Sequence, residues 1–361
     1  MKRNYLLVVA IRLMTLAALP PLILLFVGTA AMSQDVPAGN PTLDLNQQLN
    51  SPVNNSIQGE SRQQADSLLR QGEQAQQRRE YEKAIANWLQ ALDLYQQIGD
   101  FEGQAQVYSY LGVTYANLGR YPQAEDAFRR RLGVARAEQD FQGQIYSLNN
   151  VGTVLLQSGS YDAARRMFVE ALDISRSIKS REGEGLSLSN LGLVAATQGN
   201  YPEAIKQYEA ALVLRRQVND PIGEANTRNN LGDAYRRANR QQDALTYYRF
   251  ALRLAQNSGD IPNQFRALRG LVQSYSMTQQ YPLAFQALNQ HIALAQKQGN
   301  RREELASLRF YAELYRATGD LSNAQSYYLE AIALAGALGE TEEAAFLRND
   351  LAQILYVRKL Q

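Results

Sequence analysis

The chain of 361 residues contains no cysteine and a single histidine. Without thiols it cannot form a disulfide scaffold, a cysteine nucleophile or a cysteine zinc site, and one histidine cannot supply a two-histidine metal motif. An excess of one charge is also absent, because 37 Lys and Arg accompany 35 Asp and Glu. Nucleic-acid binding depends on an excess of cations that displaces counterions. We therefore expect a folded protein that uses no metal or other cofactor and no nucleic-acid partner.

The N-terminal region holds a long uncharged and apolar stretch. Three basic residues precede residues 13–34, which contain no charged side chain and include a run of large apolar residues. The small residues Ala31 and Ser33 match the rule for cleavage of an export signal. Residues 1–33 are therefore predicted to be a signal peptide, with an uncleaved membrane anchor as the alternative, since about 20 apolar residues can span a bilayer. In either case we expect the folded part outside the cytoplasm, periplasmic or secreted.

The following segment, residues 34–60, combines Pro, Asn, Gln and Ser with scattered Leu and has no sustained periodicity. Such a composition provides no continuous apolar face, so we expect a disordered linker. If the N-terminal segment were retained as an anchor, the linker would tether the folded part to the membrane. Residues 1–33 are the only part of the chain for which the sequence predicts membrane contact.

From residue 61 the sequence repeats itself every 40 residues without an insertion. The markers are small residues at a constant spacing, namely Ala84, Ala124, Ala164, Ala204, Ala244, Ala284 and Ala324, together with Gly72, Gly112, Gly152, Gly192 and Gly232. A period between about 20 and 50 residues indicates a solenoid, a propeller or an array. We predict seven repeats within residues 61–341, at about 65–98, 105–138, 145–178, 185–218, 225–258, 265–298 and 305–338.

The spacing inside each repeat is helical. Tyr108, Leu111 and Tyr115 are three and four residues apart, which places them on one face of a helix. Gly119 can adopt the left-handed conformation that ends this helix before the next one begins. Helix starts are marked by side chains that can cap backbone amides, at Asp100, Asp140, Asp220, Asp260 and Asn300. The absence of strand patterns excludes a propeller and predicts an all-α fold of helical hairpins.

These motifs resemble the tetratricopeptide repeat, whose pattern is W-x2-L-G-x2-Y…A-x3-F…A. Two copies match it closely, at Leu111-Gly112-x2-Tyr115…Ala124-x3-Phe128 and at Leu231-Gly232-x2-Tyr235…Ala244-x3-Tyr248. The repeat length is similar to that of kinesin light chains and the LGN and Pins scaffolds, and the uninterrupted array is similar to bacterial envelope proteins of this family. The resemblance implies a right-handed superhelical solenoid of about seven hairpins.

A last helix is expected to close this array at residues 342–361. Its apolar residues fall at helical spacing, at Ala345, Leu347, Leu351, Ile354 and Leu355. Terminal helices of repeat arrays cap the apolar surface that the last repeat would otherwise expose.

The resemblance also implies that the first helix of each hairpin lines a concave groove, with residues two, three and six before and one after the repeat glycine facing it. An asparagine recurs directly before the Leu/Val-Gly pair, at Asn150, Asn190 and Asn230. Its amide offers donors and an acceptor that could hold the backbone of an extended peptide. The alternative is that these side chains bond to a neighbouring helix. The predicted peptide-binding residues are Asn149, Asn150, Asn190, Asn226, Asn229, Asn230, Asp233, Arg236, Arg266, Arg269 and Arg309.

Cationic residues dominate the C-terminal part of this face. The set comprises Arg236, Arg237, Arg266, Arg269, Arg309 and Arg316, against Asp233 and Glu313. Guanidinium groups favour carboxylates and phosphates, so the ligand is expected to carry an acidic part here. The alternative is a solvated face whose arginine stems cover apolar neighbours.

We expect a non-catalytic scaffold that binds extended peptide segments of partner proteins. His291 stands at an alanine position of the repeat and has no accompanying Ser or Cys motif, so a packing role is predicted for it. Two alternatives stay open. One is a self-associating or membrane-tethered structural module, and the other is a regulatory subunit of a separate enzyme.

Overall fold

The computed structural model describes residues 51–359, and it describes side chains from residue 59 to residue 356. The predicted signal segment and residues 34–50 of the predicted linker lie outside these residues. All regular structure in the described part is helical, so the all-α fold class is confirmed. None of the described helices is both long enough and apolar enough to cross a bilayer.

The helices follow one another with only two to three residues between them. They are α1 (Ser51–Gln77), α2 (Tyr81–Ile98), α3 (Phe101–Asn117), α4 (Tyr121–Ala137), α5 (Phe141–Gln157), α6 (Tyr161–Ser177), α7 (Arg181–Thr197), α8 (Tyr201–Gln217), α9 (Pro221–Arg237), α10 (Gln241–Asn257), α11 (Ile261–Met277), α12 (Tyr281–Lys297), α13 (Arg301–Thr318), α14 (Leu321–Ala337) and α15 (Thr341–Lys359). Within each compact part of the chain, successive pairs pack as the predicted hairpins.

The first helix corrects one expectation from the sequence. Residues 51–60 were expected in the linker, but α1 begins at Ser51 and runs through them. Pro52 stands in the first turn, where a missing backbone amide costs no hydrogen bond and the fixed φ of proline suits a helix. Polar composition alone therefore did not prevent helix formation at these residues.

Side-chain caps begin several of the first helices, as the sequence predicted. Asp100 accepts a hydrogen bond from the backbone amide of Gly103 at 3.0 Å, and Asp140 accepts one from Gly143 at 2.8 Å. The equivalent caps occur at Asp220, Asp260 and Asn300. Because the cap directly precedes the helix, α3 begins at Phe101, four residues before the predicted start of its repeat.

Helix ends use the left-handed backbone conformation. Gly119 has φ of 71°, and the amide of Arg120 then donates back to the carbonyl of Tyr115 at 2.8 Å. Where a helix ends without glycine, Asn219 after α8 and Asn239 after α9 adopt φ of 53° and 61°. Asparagine tolerates this region better than most residues, so the hairpin geometry is retained.

The described chain forms two compact units that divide between Val194 and Ala195. In the unit before this boundary, consecutive helices pack against one another from α1 to α6. In the unit after it, consecutive helices pack in the same way from α8 to α15. There the first helices of neighbouring hairpins also touch, since α9 contacts α11 and α11 contacts α13.

The repeat glycine lies under an aromatic ring of the second helix. A Cβ atom added at Gly152 would lie 2.5 Å from the ring of Phe168, and one at Gly232 would lie 2.5 Å from Tyr248. Both rings are fully buried. Tyr248 also covers Gly270 of the following hairpin, so one ring packs against two first helices. The glycine therefore provides the close approach on which the hairpin depends.

The last helix buries three of the five apolar residues that were expected to face the array. Leu347, Leu351 and Ile354 are buried, as their spacing indicated. Ala345 and Leu355 are exposed, and Ala344 is buried instead. Ala345 and Leu355 are therefore corrected as core residues, because the packing of α15 on α14 decides which side chains are covered.

Glycine packing can be tested with two substitutions in the same unit. Gly152→Ala is expected to lower the free energy of unfolding by about 1–3 kcal/mol, because its methyl group overlaps Phe168. Gly133→Ala is the matched control, since no atom lies within 4 Å of its added Cβ on an exposed helix interior. We expect it to stabilise by about 0.5–1 kcal/mol. Urea unfolding measures both, and equal effects would contradict the packing role of Gly152.

Candidate functional site

The predicted site lies on one face of the first helices. We call the positions two, three and six before and one after the repeat glycine the A-face. In α9 these are Asn230, Asn229, Asn226 and Asp233, and Arg236 follows one turn from Gly232. Because α9 and α11 are in contact, A-face side chains can reach from one first helix to the next.

In α5 and α7 the A-face asparagines bond across the two helices. Asn149 is only 2% exposed, and its amide nitrogen donates to the Ile145 carbonyl at 2.8 Å and to Ser187 Oγ at 3.1 Å. Asn190 donates from Nδ2 to Asn149 Oδ1 at 2.8 Å. Asn150 is also buried. The predicted peptide contact of Asn149 is therefore corrected, because its amide joins two helices and faces no solvent.

Asn229 has the same role in α9. Its side chain is fully buried, and Nδ2 donates to the Oδ1 of Asn263 at 3.0 Å and to the Asn263 carbonyl at 3.2 Å. Asn263 in turn donates to the cap residue Asp260 at 2.6 Å. The predicted peptide contact of Asn229 is likewise wrong. Both asparagines bond to a neighbouring helix, which the sequence left open as the alternative for Asn150, Asn190 and Asn230.

Arg266 occupies the centre of a polar cluster on the A-face of α9 and α11. Its guanidinium donates to Asn226 Oδ1 at 2.8 Å, to Asn230 Oδ1 at 2.5 Å and to Asp233 Oδ2 at 2.6 Å. The hydroxyl of Tyr248 donates to the other oxygen of Asp233 at 2.6 Å. Four predicted site residues, Asn226, Asn230, Asp233 and Arg266, thus form one connected group.

The charge of Asp233 is stabilised within this cluster. Burial by itself would raise the pKa of Asp233, but the guanidinium groups of Arg266 and Arg236 and the Tyr248 hydrogen bond outweigh it and hold the pKa below its ordinary value. Tyr248 was missed as a site residue because the repeat pattern identifies it only as a core aromatic. Its ring does fill the core, whereas its hydroxyl reaches the A-face.

The cationic face predicted from the sequence is largely neutralised. Arg269 donates to Glu303 at 3.3 Å, and Arg309 donates to Glu343 at 2.9 Å. Each acidic partner is 34 residues farther along, in the first turn of the next first helix. The sequence analysis counted only charges at A-face positions and so missed these glutamates. They lie outside those positions, but an arginine side chain is long enough to reach them on the adjacent helix.

Arg309 also lies 3.5 Å from Glu313, another A-face residue of α13. Glu313 is buried, and burial raises its pKa although Arg309 and Arg316 oppose the change. Arg236 lies 3.9 Å from Asp233. The arginines named in the predicted site therefore all have an acidic neighbour.

His291 is fully buried between α12 and its neighbours. Its Nδ1 lies 2.8 Å from Ser307 Oγ and its Nε2 lies 3.3 Å from Glu303 Oε2. Burial would raise the pKa of Glu303, but the contact with His291 and the charge of Arg269 outweigh it and lower the pKa. Ser307 is also fully buried, so the contacts of His291 join α12 to α13 inside the packed helices.

Comparisons with known proteins give consistent results. Family models described as tetratricopeptide repeat match residues 63–137, 143–217, 183–257, 224–297 and 307–342, which together are more than half of the chain. No curated protein shows significant sequence similarity to the chain.

Several solved structures share the fold at low sequence identity. Aspartyl phosphate phosphatase F from Bacillus subtilis has a TM-score of 0.60 and 15% identity, covering 81% of this chain and 76% of its own. A Rap protein complexed with competence and sporulation factor has a TM-score of 0.54 and 14% identity, covering 83% and 98%. The Rap conjugation gene regulator of the plasmid pLS20, in complex with the Phr* peptide, has a TM-score of 0.53 and 18% identity, covering 77% and 75%.

The cluster around Arg266 predicts a pH-dependent contribution to stability. At pH 7 we expect Asp233→Asn to lower the free energy of unfolding by about 1.5–3 kcal/mol, because an amide cannot neutralise the two guanidinium groups. Because the pKa of Asp233 is lower in the folded protein, its carboxylate stabilises the fold at pH values above the ordinary pKa of aspartate. This stabilisation is lost as the pH falls and the carboxylate is protonated. The difference in the free energy of unfolding between Asp233→Asn and wild type should therefore become smaller below about pH 4.

Asp243→Asn is the control for this substitution. Asp243 pairs with Arg240 at 2.8 Å on the surface, so its loss should change stability by no more than about 0.5 kcal/mol. Urea unfolding between pH 3 and pH 7 compares the variants. Equal effects of the two substitutions at pH 7 would refute a structural role for the cluster.

Proposed function

The chain belongs to the tetratricopeptide repeat family, and we propose that it is a non-catalytic protein-interaction scaffold that binds extended peptide segments of partner proteins along its A-face. The carrying observation is the cluster in which Arg266 holds Asn226 and Asn230 through their oxygen atoms. Groups held in place before binding lose little conformational entropy when a ligand arrives. One of the structures with a similar fold is itself a complex with a peptide, which supports the proposal.

The ion pairs of the A-face arginines indicate which kind of peptide the A-face would bind. An acidic segment would have to compete with Glu303 for Arg269 and with Glu343 for Arg309. Replacing a protein carboxylate by a ligand carboxylate yields little net energy, because one ion pair is exchanged for another. We therefore propose contacts to the peptide main chain, with recognition of acidic side chains as a secondary feature.

We also propose that the scaffold works outside the cytoplasm. The support is the sequence of residues 1–33, in which basic residues, an apolar run and the small residues Ala31 and Ser33 follow the order of an export signal. Partners would then be proteins of the cell envelope or secreted proteins. An uncleaved segment would hold the same scaffold at the membrane.

The binding proposal can be tested by blocking the A-face. Gln273 lies one residue after the repeat-glycine position of α11 and is partly exposed. Peptides of twelve residues are selected from a random-sequence display library on the full chain, and their affinities are measured by fluorescence anisotropy. Gln273→Trp should lower these peptide affinities at least tenfold, which corresponds to about 1.4 kcal/mol. The reason is that the indole ring would cover the A-face at this position.

Gln290→Trp is the matched control, since Gln290 is exposed on the second helix of the same hairpin. It should leave the affinities unchanged, and circular dichroism verifies that both variants retain their helices. Selection of no peptide, or equal binding to both variants, would refute the proposed function.

Export can be tested by mass spectrometry of the protein made in its own cells. We expect a mature chain that starts at Gln34 in the fraction outside the cytoplasm. Ser33→Pro, which disfavours cleavage, should leave the N-terminal segment attached and the protein membrane-associated. A chain that keeps residues 1–33 in soluble cytoplasm would contradict the proposal.

A further inference from the structure

The outer face of α15 carries exposed apolar side chains. Ala345, Ala352 and Tyr356 lie on it, and Tyr356, at 65%, is the most exposed large apolar side chain that the structure describes. Phe346 and Leu355 flank this row and are 42% and 39% exposed. A helix that only caps a repeat array has a polar outer face, which keeps the array soluble. The outer face of α15 therefore differs from that of a simple cap.

The same face has the spacing of a helix-packing seam. Its central row consists of Ala345, Asn349, Ala352 and Tyr356, which are four, three and four residues apart and so lie along one side of the helix. The two alanines are two turns apart, and small side chains let a second helix approach closely. No residue of this row is charged. The row can therefore enter an interface without burying an unpaired charge.

The row is complementary to itself when two copies of α15 run antiparallel. With a two-fold axis between positions 350 and 351, Tyr356 of one copy would stand opposite Ala345 of the other, and Asn349 opposite Ala352. Each larger side chain then meets a small one. Both contacts occur twice, because a two-fold interface uses the same patch on both copies. In a parallel pair Tyr356 would instead meet Tyr356, and the paired alanines would leave gaps.

Charges at the ends of α15 favour the same arrangement. Glu342 is exposed in the first turn. In the antiparallel register it would stand opposite position 359 of the other copy, where the sequence has lysine. The N-terminal end of each helix dipole would also lie beside the C-terminal end of the other. A parallel pair would place Glu342 beside Glu342 and align the two dipoles, and both effects are unfavourable.

We propose that α15 is a self-association surface through which two copies of this chain pair, with the two helices antiparallel and packed along Ala345, Asn349, Ala352 and Tyr356. One helix pair covers less than the roughly 1,200–2,000 Å² of a stable protein interface, so the dimer is a reversible one. A pair of scaffolds carries two A-faces and would hold a partner with two binding segments more tightly than one copy does. The pairing itself does not depend on peptide binding by the A-face.

The pairing can be tested by disulfide cross-linking, because the native chain contains no cysteine. Asn349→Cys in the full chain places a thiol near the two-fold axis, about 4.5 Å along the helix from the same thiol of the other copy. It should give a disulfide-linked dimer under mild oxidation. Glu342→Cys should give none, because the two thiols of an antiparallel pair would be about 25 Å apart along the helices.

The row itself is tested in the Asn349→Cys background. Ala352→Glu should lower the disulfide-linked fraction at least tenfold, because it brings a charge and a larger side chain into the row. Ala210→Glu is the matched control, since Ala210 is an exposed alanine on α8, and it should leave the fraction unchanged. Circular dichroism verifies that both variants keep their helices.

The register is tested by exchanging charges at low salt, where ion pairs are least screened. Glu342→Lys should lower the disulfide-linked fraction of Asn349→Cys several-fold, and Lys359→Glu in the same chain should restore it. Equal disulfide formation by Glu342→Cys and Asn349→Cys would indicate a parallel or unspecific pair and overturn the proposal.

Sedimentation equilibrium of the chain without added cysteine provides an independent measurement. Up to about 100 µM it should show a reversible dimer that Ala352→Glu abolishes. A monomer at every concentration, together with no disulfide from Asn349→Cys, would overturn the proposal and assign the face to a different partner. The selection of no peptide by the A-face would refute the proposed function and leave this dimer intact.

Discussion

The close approach of two helices at the repeat glycine is the contact on which the rest of the structure depends. At Gly152 and Gly232 the neighbouring ring lies where a Cβ atom would otherwise be, so a side chain there would separate the helices. Tyr248 packs against its own hairpin and against Gly270 of the next one. The same contact therefore closes a hairpin and stacks it on its neighbour, which is how short helices of marginal stability become a cooperative array.

This stacking brings first helices side by side and determines what their polar residues do. Asn149 and Asn229 are buried between two such helices, where an unpaired amide would cost free energy, and each finds its partner on the adjacent helix. Arg269 and Arg309 find carboxylates in the same way. Much of the polar pattern of the A-face is thus a set of bonds that hold the array in register.

The proposed ligand site is a small part of this face. Arg266 and Asp233 neutralise each other, and their hydrogen bonds leave the amide nitrogens of Asn226 and Asn230 as donors. A site of this kind can hold the main chain of many sequences, which suits a scaffold that receives unstructured segments of its partners. Family membership establishes the architecture, whereas the choice of ligand depends on these particular side chains.

The sequence by itself determined the helical hairpins, their 40-residue period, the caps and the identity of the family, because these depend on local spacing and on residues such as Gly119 and Asp100 that act within one turn. It also predicted a site on one face of the first helices, which stays a prediction. Only the tertiary structure decided which residues of that face bond to one another, since partners such as Arg266 and Asn226 are 40 residues apart. The length of an arginine and the distance between packed helices settle such pairings, and neither can be read from periodicity.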